Sequence, residues 1–170
     1  MKRPAILATI LLLLLASALG LWIEWNRPAR RIARLTKKAI ACAEKAPGES
    51  PLAAALKANA LQDLLAETIT CSAPDDGLPP FTLSRSEFVQ QAYAFRNRFD
   101  SVDIQVHSAQ LVEGSPYAHS ADFCHALLVT VLAPTSLEEP LDDSFQLFIG
   151  FVRRDRALLI SSFSLIRPPA

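Results

Sequence analysis

The chain has 170 residues, with 17 basic and 17 acidic side chains, three cysteines, five glycines and 51% hydrophobic residues. That is room for one ordinary domain with its own core, once an apolar N-terminal run is set aside. The zero net charge hides an asymmetry: up to Lys38 eight basic residues face Glu24 alone, and from Ala39 onward nine basic residues face sixteen acidic ones.

An acidic globular part argues against a surface that tracks phosphates, so nucleic acid is not an expected partner. Cys42, Cys71 and Cys124 are too few and too scattered for a disulfide framework, and no CxxC occurs. All three are expected as buried thiols with no disulfide. A Cys42–Cys71 bridge in an oxidising compartment is the alternative.

Residues 1–27 form a unit of their own. Pro4 to Ile23 is 20 residues without a charge, built on Ile10 and five consecutive leucines. As a helix this run spans about 30 Å, the hydrocarbon thickness of a bilayer. Trp22 and Trp25 stand at its end, where interfacial aromatics sit. The rival reading is a cleaved signal peptide, with Lys2-Arg3 before the apolar stretch and Ala16-Ser17-Ala18 after it. The apolar run continues past those small residues to Ile23, which favours an anchor, with membrane lipid as its partner. The basic cluster that follows suits anionic headgroups. By the positive-inside rule the domain is cytoplasmic. The Lys2-Arg3 start favours export, and an extracytoplasmic domain on a single-pass anchor is the reading adopted.

Residues 28–170 are read as one domain. The spacing predicts a helix over 28–46, with Ile32, Leu35, Ala39 and Cys42 on one stripe, stopped by Pro47-Gly48. Ser50-Pro51 restarts a helix whose apolar stripe is Leu52, Leu56, Ala60 and Leu64. A short β-prone stretch at 67–71, a turn at 74–77 and Phe81-Thr82-Leu83 make a small strand pair. Ser84-Arg85-Ser86-Glu87 is a capping box ahead of Phe88, Ala92, Phe95 and Phe99, the predicted buried stripe of a third helix.

After Asp100 the period changes from 3.6 to 2. Val102, Ile104 and Val106 alternate with Asp103, Gln105 and His107, which are placed on the outer face. Strands are predicted over Val102–Val112, Ala121–Ala133, Phe145–Val152 and Leu158–Ile166, with a tight turn at Arg153–Arg156. The fold class is therefore α+β: an antiparallel sheet of about four long strands, plus the short pair, against three helices.

This order, from about residue 30 to 168, resembles the nuclear transport factor 2-like superfamily, a cystatin-like α+β cone. The resemblance rests on the capped helix Ser84–Arg98, the four strand stretches and the Arg153–Arg156 turn. It implies a curved sheet wrapped around the helices, and pairing of two copies through the open sheet face. The superfamily includes dehydratases, isomerases, epoxide hydrolases and non-catalytic adaptors, so membership would leave the activity open. An anchor followed by a cone is also similar to the periplasmic core component of type IV secretion systems, although the tail here is only three residues.

On the central strand Phe123, His125, Leu127, Val129 and Val131 share the apolar face, which makes His125 the one histidine expected inside. His125 with Tyr93 is the candidate ligand-binding pair, and the same pair would supply acid–base chemistry in an enzyme. Neighbouring strand residues point to opposite faces, so Cys124 and His125 cannot converge with Asp122 and His119 on one ion, and no metal is expected. There is no glycine-rich phosphate loop, nucleophile elbow or HExxH, and no cofactor is expected. The expected function is a membrane-tethered, non-catalytic interaction or small-ligand-binding module, with a place in an envelope assembly. A small-molecule lyase or isomerase using the cone is the alternative.

Overall fold

The structure is a computed structural model that describes residues 15–17, 20, 28–112, 121–135 and 140–168. The proposed anchor or signal segment, 1–27, lies almost wholly outside the described residues, as does His119. Among the described residues no helix is long and apolar enough to cross a membrane.

Helix α1 (Pro28–Ala43) buries Ile32, Thr36 and Ala39 and leaves its arginines and lysines exposed. It ends before the predicted stop at Pro47, because the chain is drawn into the sheet. Lys45 exchanges two backbone hydrogen bonds of 2.9 Å with Val102, and Gly48 then turns in the left-handed region at φ +69°. Helix α2 (Pro51–Gln62) starts as the sequence implies, with the Ser50 hydroxyl accepting from the Ala53 amide and Pro51 in the first turn. Its rotation is different. Ala54 and Leu61 are buried, whereas Leu52 is 71% exposed and Leu56 and Ala60 also face solvent. Lys57 sets this orientation by reaching the Glu44 carbonyl and the Glu49 carboxylate.

Strands β1 (Leu65–Ala73) and β2 (Leu78–Ser84) flank a single turn of 3-10 helix at Pro74–Asp76. Helix α3 (Arg85–Arg96) opens with the complete capping box: Ser84 Oγ accepts from the Glu87 amide, and the Glu87 carboxylate accepts from the Ser84 amide at 2.8 Å. The predicted stripe on this helix is only partly buried. Phe88 stacks on Phe163 with ring centroids 5.0 Å apart, Phe99 is buried beyond the helix end, and Phe95 is exposed. The residue sealed into the interior is Arg96.

Four strands follow: β3 (Asp103–Val112), β4 (Phe123–Ala133), β5 (Leu141–Arg154) and β6 (Ala157–Ile166). Strands β5 and β6 are joined through Asp155 and Arg156, both at positive φ, the two-residue turn whose twist suits a hairpin. All six strands form one open sheet in the order β2-β1-β6-β5-β4-β3. Two expectations need correction here. The first two strands are full members, nine and seven residues long, and not a separate short pair. The sheet is also mixed, because β6 returns between β5 and β1 and runs parallel to β1, with Leu65 opposite Ile160 and Cys71 opposite Phe163. Register shifts at Val106/Ser108 and Gly150/Phe151 mark β-bulges, which bend strands and increase their twist.

The main core lies on the concave side. Ile32, Leu61, Leu65, Ile69, Leu127, Ile149, Phe151 and Ile160 bring α1, α2 and four strands together. The convex side carries a second buried set, Cys124, Ala126 and Phe148, beside Ser72, Ser162 and Ser164. Ser72 Oγ and Ser164 Oγ lie 2.7 Å apart in that set.

Candidate ligand cavity

Between the helices and the concave face lies a cavity of about 470 Å³. Helix α2 lines it with alanines and Leu61, α3 with Val89, Ala92, Tyr93 and Arg96, and the sheet with Val102, Ile104, Val131 and Phe145. The small side chains of α2 leave the gap between that helix and the sheet unfilled. Asp143 and Arg167, both exposed, line the cavity as its charged outer residues. An apolar space of this size with few convergent polar groups is the usual form of a small-molecule site.

Arg96 is the most unusual of the lining residues, being 5% exposed. Its Nε donates to the carbonyls of Ala43 and Glu44, and Nη2 donates to the Glu44 carbonyl at 2.7 Å and to the Glu49 carboxylate. Glu49 also receives Lys57 Nζ at 2.8 Å. Burial on its own would raise the Glu49 carboxyl, but hydrogen bonds from Lys57 and Arg96, with their charges, outweigh it and hold the group below the ordinary carboxylate value. One carboxylate thus faces two cations. The third nitrogen, Nη1, is buried and has no hydrogen-bond partner among the described residues. A buried donor left unpaired costs roughly 1–3 kcal/mol, so native structures rarely retain one without a reason.

A second hollow of about 400 Å³ runs between α1 and strands β3 and β4. His125 belongs here, 7% exposed, with Nδ1 2.8 Å from the Thr36 hydroxyl. Burial lowers its pKa from the ordinary histidine value. His125 is inside, on the face the alternation indicates. Tyr93, however, lines the first cavity and His125 the second, and the histidine's hydrogen-bond partner is Thr36. The sequence reading missed Arg96, whose charge suggests a surface position. It also missed Thr36, although that residue stands one turn after Ile32 on the buried stripe of α1.

The other candidates fall where the alternation puts them. His107 is exposed and reaches Thr130 at 2.8 Å, which continues to Ser144. Asp122 accepts the Arg153 amide at 2.6 Å. No group of three metal-ligating side chains comes together among the described residues. The three cysteines are unbridged. Burial raises the Cys42 thiol against the lowering charges of Lys57, Arg96 and Lys38, and pushes Cys71 up to about 11.

No protein-family model matches the chain, and no curated protein matches it in sequence. Solved structures do resemble it. A nuclear transport factor 2-like protein from Cytophaga hutchinsonii superimposes with a TM-score of 0.59 at 11% identity, over 84% of this chain and 99% of that one. A protein from Streptomyces avermitilis named as a dehydratase of the same family gives 0.59 at 11% identity, over 84% and 97%. A Nostoc punctiforme protein of unknown function with a cystatin-like fold gives 0.54 at 10% identity, over 82% and 90%. At such identities the likeness is one of fold. The chain has the cystatin-like α+β cone fold of the nuclear transport factor 2-like superfamily.

Proposed function

We propose that this domain is a non-catalytic module that binds a small amphipathic ligand in the 470 Å³ cavity, held beside a membrane by the apolar run 4–23. The observation that carries the reading is the pairing of an apolar-lined cavity with a buried guanidinium whose Nη1 is unpartnered among the described residues. Such a site suits an apolar body ending in an acceptor oxygen, which would complete the arginine's hydrogen bonds. An elimination or isomerisation needs an acid and a base facing one substrate. The two side chains that would supply them, His125 and Tyr93, line different cavities, and that favours binding over turnover.

The test is to purify the full chain in lipid nanodiscs, extract it with organic solvent and identify co-purified small molecules by mass spectrometry. Thermal shifts would then be measured against apolar acids, amides and hydrocarbons of one carbon skeleton. The reading expects stabilisation by the oxygen-bearing members. No stabilisation by any of them, with no co-purified molecule, would overturn it. Cell fractionation with protease protection tests the tether and its sidedness.

A further inference from the structure

The long-range packing of the hairpin turn gathers charge in a way the linear sequence does not display. The turn between β5 and β6 presents Arg153, Arg154 and Arg156, all exposed. It packs against the start of α1, where Pro28, Arg31, Arg153, Arg156 and Leu158 line a hollow of about 230 Å³. Arg30 and Arg34 stand on the same first turns of α1 and are also exposed. Six arginines from segments more than 100 residues apart therefore occupy one end of the domain.

Asp63, just before β1, stands near this end of the sheet, because the neighbouring Leu64 carbonyl accepts the Ile160 amide, and two further aspartates accompany the turn itself. Asp155 is within it, and Asp122 is engaged with the Arg153 amide. Taking the six arginines and these two aspartates out of residues 28–170 leaves eight basic against fourteen acidic side chains. The domain is thus bipolar, basic at one end and acidic over the rest. The N-terminus of α1, with the positive end of its helix dipole, adds to the basic end.

We infer that this end is a docking surface for anionic phospholipid headgroups, with the arginine-lined hollow receiving a lipid phosphate. Guanidinium groups pair with phosphate in two parallel hydrogen bonds, which a cluster of arginines does better than lysines. The occupant is set by chain length as well as by charge. Pro28 follows the uncharged run 4–23 after four residues, and the five backbone steps from Ile23 to Pro28 reach at most ~18 Å when fully extended. An apolar run in the bilayer leaves the hollow no farther than that from the headgroup layer. A nucleic acid would have to approach past the acidic remainder of the domain. The inference rests on the tether proposed above and deepens it: the domain lies basic end down on the membrane instead of swinging free.

The experiment is co-sedimentation of the full chain with vesicles of phosphatidylcholine alone, or with about 30 mol% phosphatidylglycerol, a charge density that attracts basic segments. The wild type is compared with the triple variant Arg153→Gln, Arg154→Gln, Arg156→Asn. These side chains are exposed, and Asn tolerates the positive φ of position 156; unchanged circular-dichroism melts verify the fold. The uncharged vesicles read the apolar run, and the increment from phosphatidylglycerol reads the surface. The wild type is expected to show an increment that the triple variant loses by at least roughly tenfold, and that shrinks between about 0.05 and about 0.5 M salt. An equal increment in the variant, or none in the wild type, overturns the inference whether or not the tether holds. Binding to the charged vesicles alone overturns the tether and supports the surface. Arginine-dependent binding of a short DNA duplex as tight as that of the charged vesicles also overturns the assignment to lipid.

Discussion

The Thr36 hydroxyl lies 2.8 Å from Nδ1 of His125, joining the buried face of α1 to the central strand β4 across 89 residues of sequence. Both side chains are buried, and each partner satisfies the other. Thr36→Val keeps the shape and removes the hydroxyl, which leaves a buried ring nitrogen unpaired. The expected loss is about 1–2 kcal/mol of unfolding free energy, read from urea unfolding, with Thr36→Ser close to the wild type. A valine variant as stable as the wild type would show that the ring is satisfied elsewhere.

The same histidine gives the fold a pH dependence of known sign. Burial lowers the folded-state pKa of His125 below its unfolded value of about 6.5. Between those two values the unfolded chain binds the proton and the folded chain does not, so stability rises with pH there. The contribution is complete above about pH 6.5 and is lost as the pH falls toward the folded value. Melting curves from pH 8 downward should therefore drop below about 6.5, and His125→Gln should flatten that part of the profile. An identical drop in the variant would assign it to other groups.

Glu49 is the single carboxylate between Arg96 and Lys57. Its folded pKa is lowered, so its stabilisation is present above the ordinary carboxylate value and is lost as acid protonates it. Glu49→Gln leaves the guanidinium buried without a counter-charge, a change expected to cost roughly 3 kcal/mol. The 44–50 segment should loosen first, because Arg96 and Lys57 both hold the Glu44 carbonyl. Amide exchange of residues 44–50 reads that opening, and exchange as slow as in the wild type would count against the clamp.

Local rules carried much of this fold in the sequence. The capping box at Ser84–Glu87 and the Ser50-Pro51 start depend on neighbours within a few residues, and both are realised. The alternation after Asp100 marks a strand correctly but not its dry face, because Val106 is exposed and Ile104 only half-buried. What was hidden depends on distant partners. Nothing near β1 announces that β6 will return beside it in parallel. Arg96 reads as a helix-end surface charge until the carbonyls of Ala43 and Glu44, more than 50 residues earlier, are seen to receive it. The rotation of α2 was undetermined for another reason. Leu52-Ala53-Ala54-Ala55-Leu56 is apolar around the whole helix, so periodicity could not choose a face, and the reach of Lys57 did.

The alanines of α2 make the cavity adjustable. Ala58 lines it and is half-buried, so Ala58→Leu should place three more carbons in the space at little cost to the fold. The variant is expected to melt within a few degrees of the wild type and to bind the best apolar acid at least roughly tenfold more weakly, since the added volume competes with the ligand. Undiminished affinity would place the ligand elsewhere on the domain.

Cys42 offers a reporter that needs no substitution. It lines the cavity beside Arg96, half-buried, with its thiol raised by burial. The reactive species is the thiolate, so alkylation near neutral pH should be slow, and Cys71, pushed up to about 11, should be slower still. Filling the cavity should slow Cys42 further and leave Cys71, outside its lining, unchanged. Peptide mass spectrometry after timed alkylation separates the two sites. Equal protection of both would mean that the ligand stabilises the whole fold, and protection of neither would mean that it does not sit against α1.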